Sequence, residues 1–466
     1  MASPAPMTSE SPNQAIPHPS RTVWALAWPA VALNSLQVVN TLLDRFFIGH
    51  LSQSSLTAAG GAITVMFLMF SLAMALATGA TAIVARAFGA GDHAEYHAAS
   101  RQTFALSCMA GAFVAVVTVI TAPLVSRLML PSVDVDAIRL MTSVLRAYGF
   151  GLPAIFVIQT LAGSLRGIGD TKSPMVISGL QILLHIALNF LLIFPTRQVG
   201  GITIPGAGMG IVGAATALSV SAWVSAIIYV AYCGKTPLGQ AASFRMPSAE
   251  WTRRILRIAI PAATMAVLRV LSLGAFSLML KYVPNSSVAI AALPIAFGIE
   301  SVMFMPSFGL SVAASALVGQ SLGMKAPLRA ERLAWVAAHH GALVTLSLSI
   351  PIFFFAPNIC SLILEGKPAL IAETSSFLRL LCLTEVLFAY AMVVVGAMQG
   401  AGDTKSPLWI SIISLWGLRV PMAYVLAFVL HMGSHGAWLA MSITQGVQGV
   451  LCLIVFRQGH WKYKRV

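Results

Sequence analysis

Gly163-Ser-Leu-Arg-Gly-Ile-Gly-Asp-Thr-Lys-Ser-Pro174 returns as Gly396-Ala-Met-Gln-Gly-Ala-Gly-Asp-Thr-Lys-Ser-Pro407, with eight of twelve positions identical. A long segment repeated at a fixed offset marks a duplicated chain, an arrangement common among transporters. The offset of 233 holds on both sides of the quoted segment: Pro29 pairs with Pro261 at 232, Gly89 with Gly323 at 234, and Arg146 with Arg379 at 233. The register breaks only at the last element of each half, where Gly213-Ala-Ala matches Gly436-Ala-Trp at 223. The first half therefore carries extra residues around Thr196 to Met209, which we read as an insertion in an exposed turn.

The quoted segment lies between apolar runs, and the composition says what those runs are. Hydrophobic residues make up 58% of the 466 positions and charged residues 9%, against about a quarter charged in ordinary soluble domains. Apolar runs of about 20 residues match the bilayer core at a rise of 1.5 Å per residue. Period-two alternation is absent and the runs are too long for barrel strands, so helices must satisfy the backbone in lipid. The spans expected are 24–48, 58–87, 101–123, 138–165, 174–195, 209–233, 254–282, 288–319, 333–356, 371–398, 407–430 and 435–456. The fold class is thus an all-α integral membrane protein of twelve transmembrane helices in two six-helix lobes. Because each half crosses an even number of times, the lobes share one orientation and are related by a pseudo-two-fold axis along the membrane normal. The expected organisation is a disordered tail over 1–21, an N-lobe over 22–234, a linker over 235–250, a C-lobe over 251–457 and a basic tail over 458–466.

A net charge of +14 would suggest nucleic acid in a soluble protein. Here its placement gives another reading. Arg86, Arg166, Lys172, Lys235, Arg253, Arg254, Lys325, Arg332, Lys405 and most other basic residues fall in loops on the amino-terminal side. Only Arg127, Arg139, Arg197, Lys281 and Lys367 fall in loops on the opposite side. Positive loops stay inside, so both termini are expected in the cytoplasm and the protein in the plasma (inner) membrane. Basic residues are not interleaved with aromatic stacking runs, which excludes nucleic acid as a partner. The Pro- and Ser-rich first twenty residues lack the basic and apolar regions of a signal peptide. The five cysteines lack metal-ligand spacing and read as small apolar residues.

Within the repeated turn, Gly167 and Gly169, like Gly400 and Gly402, can end a helix with positive φ. Ser173 and Ser406 can cap the next helix, with Pro174 and Pro407 at its first position. The segment is then a tight hairpin, with Asp170, Lys172, Asp403 and Lys405 available to tie loops together in one conformation.

These residues resemble the multidrug and toxic compound extrusion (MATE) family. The twin Gly-Asp-Thr-Lys-Ser-Pro loops look like its signature, as do Asp44-Arg-Phe-Phe-Ile-Gly-His-Leu51, Ile299-Glu-Ser-Val-Met-Phe-Met-Pro-Ser-Phe-Gly-Leu310 and Ala314-Ser-Ala-Leu-Val-Gly-Gln320. The similarity covers roughly residues 20 to 457. It implies a secondary antiporter in which cationic or amphipathic organic compounds leave while H+ or Na+ enters, through a V-shaped cavity between the lobes.

Asp44, Glu300 and Glu385 lie inside expected spans. An ionisable group at membrane depth is costly and is a functional candidate by default. Its proton affinity depends on burial and on neighbouring charge, so a conformational change can make it bind or release a cation. The resemblance implies a proton-linked acid near the outer end of the first span, at Asp44. In the fifth span it implies partners at His185 and Asn189, where some members carry Asn and Asp. The other readings of Asp44 are an ion pair with Arg45 or a hydrogen bond to a neighbouring helix. His185 reads alternatively as a packing residue. Asn34, Gln37 and Asn40 make a polar stripe on the first span that lines the cavity or bonds between helices. Members with a second-lobe cation site use acids in helices 7 and 10, whereas here the seventh span has Arg269 at its middle. Arg269 is expected to pair with Glu300 or Glu385. Arg419, just before Pro421, reads as a packing or interface residue. The cation-coupling candidates are thus Asp44, Asn189, Glu300 and Glu385, and the substrate-cavity candidates Asn34, Gln37, Asn40, His185 and Arg269.

Gly208-Met-Gly-Ile-Val-Gly213 satisfies GxGxxG, but a Pro-Gly turn precedes it where a strand is required, and an apolar span follows. With no Walker A sequence, ATP is not expected as the energy source. No cofactor is expected beyond the transported H+ or Na+, no metal site is credible at His339-His340, and a monomer is expected. A lipid-linked precursor flippase is the alternative function, for which a strongly cationic cavity would be required. An intramembrane enzyme would need paired catalytic groups, and none is visible.

Overall fold

The computed structural model describes residues 18–130, 132–199, 202–239, 243–364 and 366–464. The expected amino-terminal tail lies outside them up to residue 17, as do Arg465, Val466 and part of the linker. Among the described residues, twelve helices are long and apolar enough to cross a membrane. They are α1 (Pro19–Gly49), α2 (Gln53–Gly89), α3 (His93–Met129), α4 (Val135–Gly167), α5 (Lys172–Ile193), α6 (Gly210–Cys233), α7 (Ala249–Met279), α8 (Ser286–Gly323), α9 (Pro327–Ile363), α10 (Pro368–Gly400), α11 (Lys405–Val429) and α12 (Gly433–Gln458). The all-α membrane class expected from the sequence is thus the class observed.

Several helices overrun the expected spans. α2 and α9 are 37 residues long and α8 is 38, so at 1.5 Å per residue each exceeds the roughly 30 Å hydrocarbon core. Hydropathy marks only the part in lipid. The ends are set by capping: Ser52, Asp92, Asp134 and Ser248 each accept the backbone N–H of the residue three positions on. α1 begins at Pro19, inside the stretch expected as tail, because proline suits the first helical turn.

An even number of helices brings both termini to one face of the bundle, here called the terminal face. The repeated turns lie on it. Gly169 and Gly402 have φ of +90° and +84°, as the hairpin reading required. The caps differ from the expectation. Asp170 Oδ1 accepts Ser173 N at 3.0 Å and Asp403 Oδ1 accepts Ser406 N at 3.3 Å, so the aspartates cap and the serines sit inside the helices. A carboxylate two residues before the first helical residue reaches the free N–H groups and also favours the positive end of the dipole. Gly400 serves packing, since a Cβ there would overlap the Ser315 carbonyl of α8. Lys172 and Lys405 make no ion pair among the described residues, so they do not tie the loops together.

On the same face α2 and α8 cross in reciprocal contact. A Cβ on Gly89 would overlap the Gln320 carbonyl, and one on Gly323 the Arg86 carbonyl. Gln320 Nε2 then donates to Gly167 O at 2.9 Å. The first helix of each half reaches across: Val23 and Ala27 of α1 pack with α8, α9 and α10, while Ile255, Ile258 and Ala259 of α7 pack with α2, α3 and α4.

Residues 458–464, part of the expected basic tail over 458–466, are folded against this face. Gly459 ends α12 with φ of +76°, a 3-10 turn spans His460–Tyr463, and Trp461 stacks on Phe456 at 4.8 Å. Arg86 Nη1 donates to Lys464 O at 2.6 Å, Lys462 Nζ meets Glu331 Oε2 at 2.6 Å, and Lys464 Nζ lies 3.8 Å from Asp403. The buried tryptophan anchors a segment that charge alone would leave in solvent.

The insertion between α5 and α6 is an antiparallel hairpin on the far face, β1 (Pro195–Val199) and β2 (Ile202–Ala207). A strand therefore does precede Gly208-Met-Gly-Ile-Val-Gly213, contrary to the sequence reading. It belongs to a two-stranded hairpin rather than a parallel sheet, and Gly213 lies against the Leu192 carbonyl, where no Cβ would fit.

Candidate functional site

The first-half acid is built from two facing helix turns. Residues four apart share a helix face, which sets Asn40 beside Asp44 on α1 and His185 beside Asn189 on α5. Asn189 Nδ2 donates to Asp44 Oδ1 at 2.7 Å and Asn40 Nδ2 donates to Asp44 Oδ2 at 3.3 Å. His185 Nε2 is 3.9 Å from Oδ1, an ion pair when the imidazole is protonated. His185, Asn189 and Asn40 are buried, while the Asp44 side chain keeps 29% of its surface accessible. Arg45 is exposed and makes no ion pair with Asp44. The amide oxygens Asn40 Oδ1 and Asn189 Oδ1 are buried without a hydrogen-bond partner. A carboxylate flanked by two such oxygens is an oxygen-rich setting that can take a proton or a hard monovalent cation.

Four of the residues singled out from the sequence therefore meet. Asn34 and Gln37 do not join them. At 100° per residue Asn34 is rotated off the Asp44 face, and its Nδ2 is buried without a partner. Gln37 is on that face but two turns away and exposed.

The second-half acids meet through a residue the sequence reading missed. Gln445 Nε2 of α12 donates to Glu385 Oε2 at 3.0 Å and lies 3.4 Å from Glu300 Oε1. Glu385 is 0% exposed, and Glu300 and Gln445 are also buried. One amide thus gathers two carboxylates from α8 and α10. Arg419 of α11 interacts electrostatically with Glu300 and donates from Nε to Thr444 Oγ1 at 3.1 Å. It stands at the end of a π-helical stretch, Ile412–Arg419, and a second such stretch, Val425–Val429, follows Pro421. Such turns accommodate a proline inside a long helix and recur at functional sites.

The expected pairing of Arg269 with Glu300 or Glu385 is not formed: among the described residues Arg269 makes no ion pair. The reason is positional. Gln445 takes up Glu385 and reaches Glu300, and Arg419 supplies the cation nearest Glu300. The signal for Gln445 was in the sequence, since Gln445 and Gln448 form a polar stripe in an apolar span, as Asn34, Gln37 and Asn40 do in the first.

The family model MatE matches residues 29–191 and 261–425. The two matched segments open at Pro29 and Pro261, the pair that opens the internal repeat. Among curated relatives, the probable multidrug resistance protein NorM of Thermotoga maritima is 28% identical over 460 residues, covering 98% of this chain and 96% of its own. The multidrug resistance protein MdtK of Yersinia pestis (strain Pestoides F) is 25% identical over 448 residues, covering 94% of each. Among solved structures, a MOP superfamily transporter from Pyrococcus furiosus superposes with a TM-score of 0.87 at 22% identity, over 96% of this chain and 97% of that one. An outward-facing multidrug resistance MATE family transporter superposes at 0.85 and 22% identity, over 94% and 95%. With the helices, the repeat and the matched segments in agreement, the chain belongs to the MatE family of efflux transporters and is not an enzyme.

Proposed function

We propose that the chain is a secondary antiporter that exports cationic or amphipathic organic compounds in exchange for H+ or Na+, with Asp44 as the coupling group. One observation carries this reading: a carboxylate inside a membrane-spanning helix is held by amides from two helices and keeps part of its surface uncovered by the protein. A structural carboxylate there would be closed off, whereas a coupling group must meet its ion. The names of the relatives, multidrug resistance proteins, support organic compounds as cargo. The excess of basic residues in loops of the terminal face supports a cytoplasmic placement of both termini in the plasma membrane. The reciprocal crossing of α2 and α8 then closes the cytoplasmic side, and access to Asp44 is from outside. Transport proceeds by alternating access: substrate and cation compete for states of one molecule, and the gradient supplies the energy. The protein is expected to act as a monomer.

The test is efflux of ethidium from proteoliposomes containing the purified chain, with H+ and Na+ gradients imposed separately. Acceleration by one of the two gradients is expected. Efflux from active protein that responds to neither would sink the antiport reading.

A further inference from the structure

Arg86 and Gln320 hold equivalent places, since the offset of 234 that pairs Gly89 with Gly323 also pairs these two. Each gives its carbonyl to the close crossing of α2 and α8, and each sends its side chain onward. Gln320 Nε2 donates across the halves to Gly167 O at 2.9 Å, at the end of α4. Full symmetry would send Arg86 to Gly400, the counterpart of Gly167. Arg86 Nη1 donates instead to Lys464 O at 2.6 Å, in the segment that follows α12. Among the described residues Arg86 has no carboxylate at ion-pair distance, so a main-chain carbonyl of that segment answers its charge.

The segment is anchored on the second half. Trp461 is 1% exposed, stacks on Phe456 of α12 and donates from Nε1 to its carbonyl at 2.9 Å. Lys462 Nζ meets Glu331 Oε2 of α9 at 2.6 Å, and Lys464 Nζ lies 3.8 Å from Asp403 Oδ1 in the repeated turn. The first half serves its own turn differently: Tyr232 of α6 donates from Oη to Asp170 Oδ2 at 3.2 Å. At the offset of 223 Tyr232 corresponds to Val455, which has no side-chain donor, and Lys464 supplies the missing partner. Three anchors on one half and one bond to the other make a strap with a fixed base and a single release point. When α2 moves away from α8 the anchors stay together, and the Arg86 bond is the one that must break. A bond made in only one of two conformations shifts their ratio by its full strength.

We propose that Gly459–Lys464 is a built-in strap that holds the terminal face closed, with the bond from Arg86 to Lys464 as its release point. The ratio of closed to open molecules is then set in part by a segment outside the membrane-spanning helices. The inference rests on the proposed alternating access for the existence of an open conformation, and on neither the cargo nor the coupling ion.

The test reads how often α2 and α8 part. Ala82 shares the α2 face of Gly89, seven residues on, and is 0% exposed. A thiol placed there by Ala82→Cys, with the five native cysteines replaced by alanine, reacts with N-ethylmaleimide only in molecules that have opened, at a rate proportional to their fraction. The protein is held in phosphatidylcholine nanodiscs without gradient or cargo. Arg86→Met leaves the backbone of the crossing in place and removes the donor; a chain ending at Lys462 removes the acceptor and keeps Trp461 and Lys462. Each should raise the alkylation rate about tenfold, the scale of one hydrogen bond from a charged donor. Arg86→Lys should retain part of the protection. The two changes together should do no more than either alone, because they remove the same bond. An unchanged rate in the shortened chain overturns the proposal, a result that stands even where Arg86→Met does not fold. So do rises that multiply in the double variant, since arginine and strap would then act separately. Failure of ethidium efflux to respond to H+ or Na+ leaves this measurement untouched, and an unchanged alkylation rate leaves the antiport reading standing.

Discussion

The two halves repeat one frame but not one chemistry. At the repeat offset of 233, Asp44 corresponds to Ser277, Glu385 to Leu152, and Arg269 to Leu36. Each half therefore placed its ionisable groups independently on equivalent helices. The first half has one acid inside a span that accepts from two amides and is partly uncovered by the protein. The second has two acids closed around one amide, beside an arginine from a π-helical turn. Duplication supplies crossings, turns and close packing, which need only helix periodicity and small residues. Charge at membrane depth is added locally, and access to solvent decides whether it can exchange an ion. On the proposed reading the first half carries the coupling and the second carries packing.

Substitutions at three positions break or sharpen that contrast. The largest effect is expected from Asp44→Asn, which keeps the shape and removes the charge: gradient acceleration of ethidium efflux is abolished, with the thermal midpoint unchanged. Coupled efflux that persists in this variant would move the coupling to Glu300 and Glu385. Asn189→Ala removes the 2.7 Å donor to Asp44. A hydrogen bond to a charged group is worth about 1.5–3 kcal/mol, so coupled efflux is expected to slow by about tenfold or more. An unchanged initial rate would show that Asp44 works without its partner on α5. The smallest effect on transport is expected at Glu385, where Glu385→Gln preserves an acceptor for Gln445 and leaves most of the coupled rate. Glu385→Ala strands the buried amide and lowers stability by about 1–3 kcal/mol, read as a fall in the midpoint of thermal unfolding. A Glu385→Gln variant as uncoupled as Asp44→Asn would erase the distinction between the halves.

Much of this architecture was legible in the residues. Span number and the repeat follow from hydropathy and from identical turn residues, because both are local. Helix ends were less legible, since Asp170 and Ser173 are both good caps and only backbone geometry chooses between them. The hairpin had its cue in Gly200-Gly201 flanked by Val199 and Ile202, a weak signal beside an apolar span. At the site, Asn40, Asp44, His185 and Asn189 were findable because pairs four apart on two helices must face each other once those helices touch. Gln445 stood out only as a polar residue in an apolar span, and its role was not legible, because its partners come from α8 and α10 and no spacing in the chain connects them. The expected Arg269 ion pair failed for the same reason: charge balance says that a partner is needed but not which helix provides it.

Gly89 and Gly323 carry a consequence for how the molecule moves. Each lets the other half's main chain come so near that the seal is made by bare backbone, with no side chain able to bend aside. Such a joint has little give, so parting α2 from α8 at either glycine loosens both contacts together and exposes the Arg86 and Gln320 carbonyls to water in one step. Under the proposed alternating access the closed face behaves as a latch with two positions, and a single added methyl group at either glycine would act as a permanent doorstop.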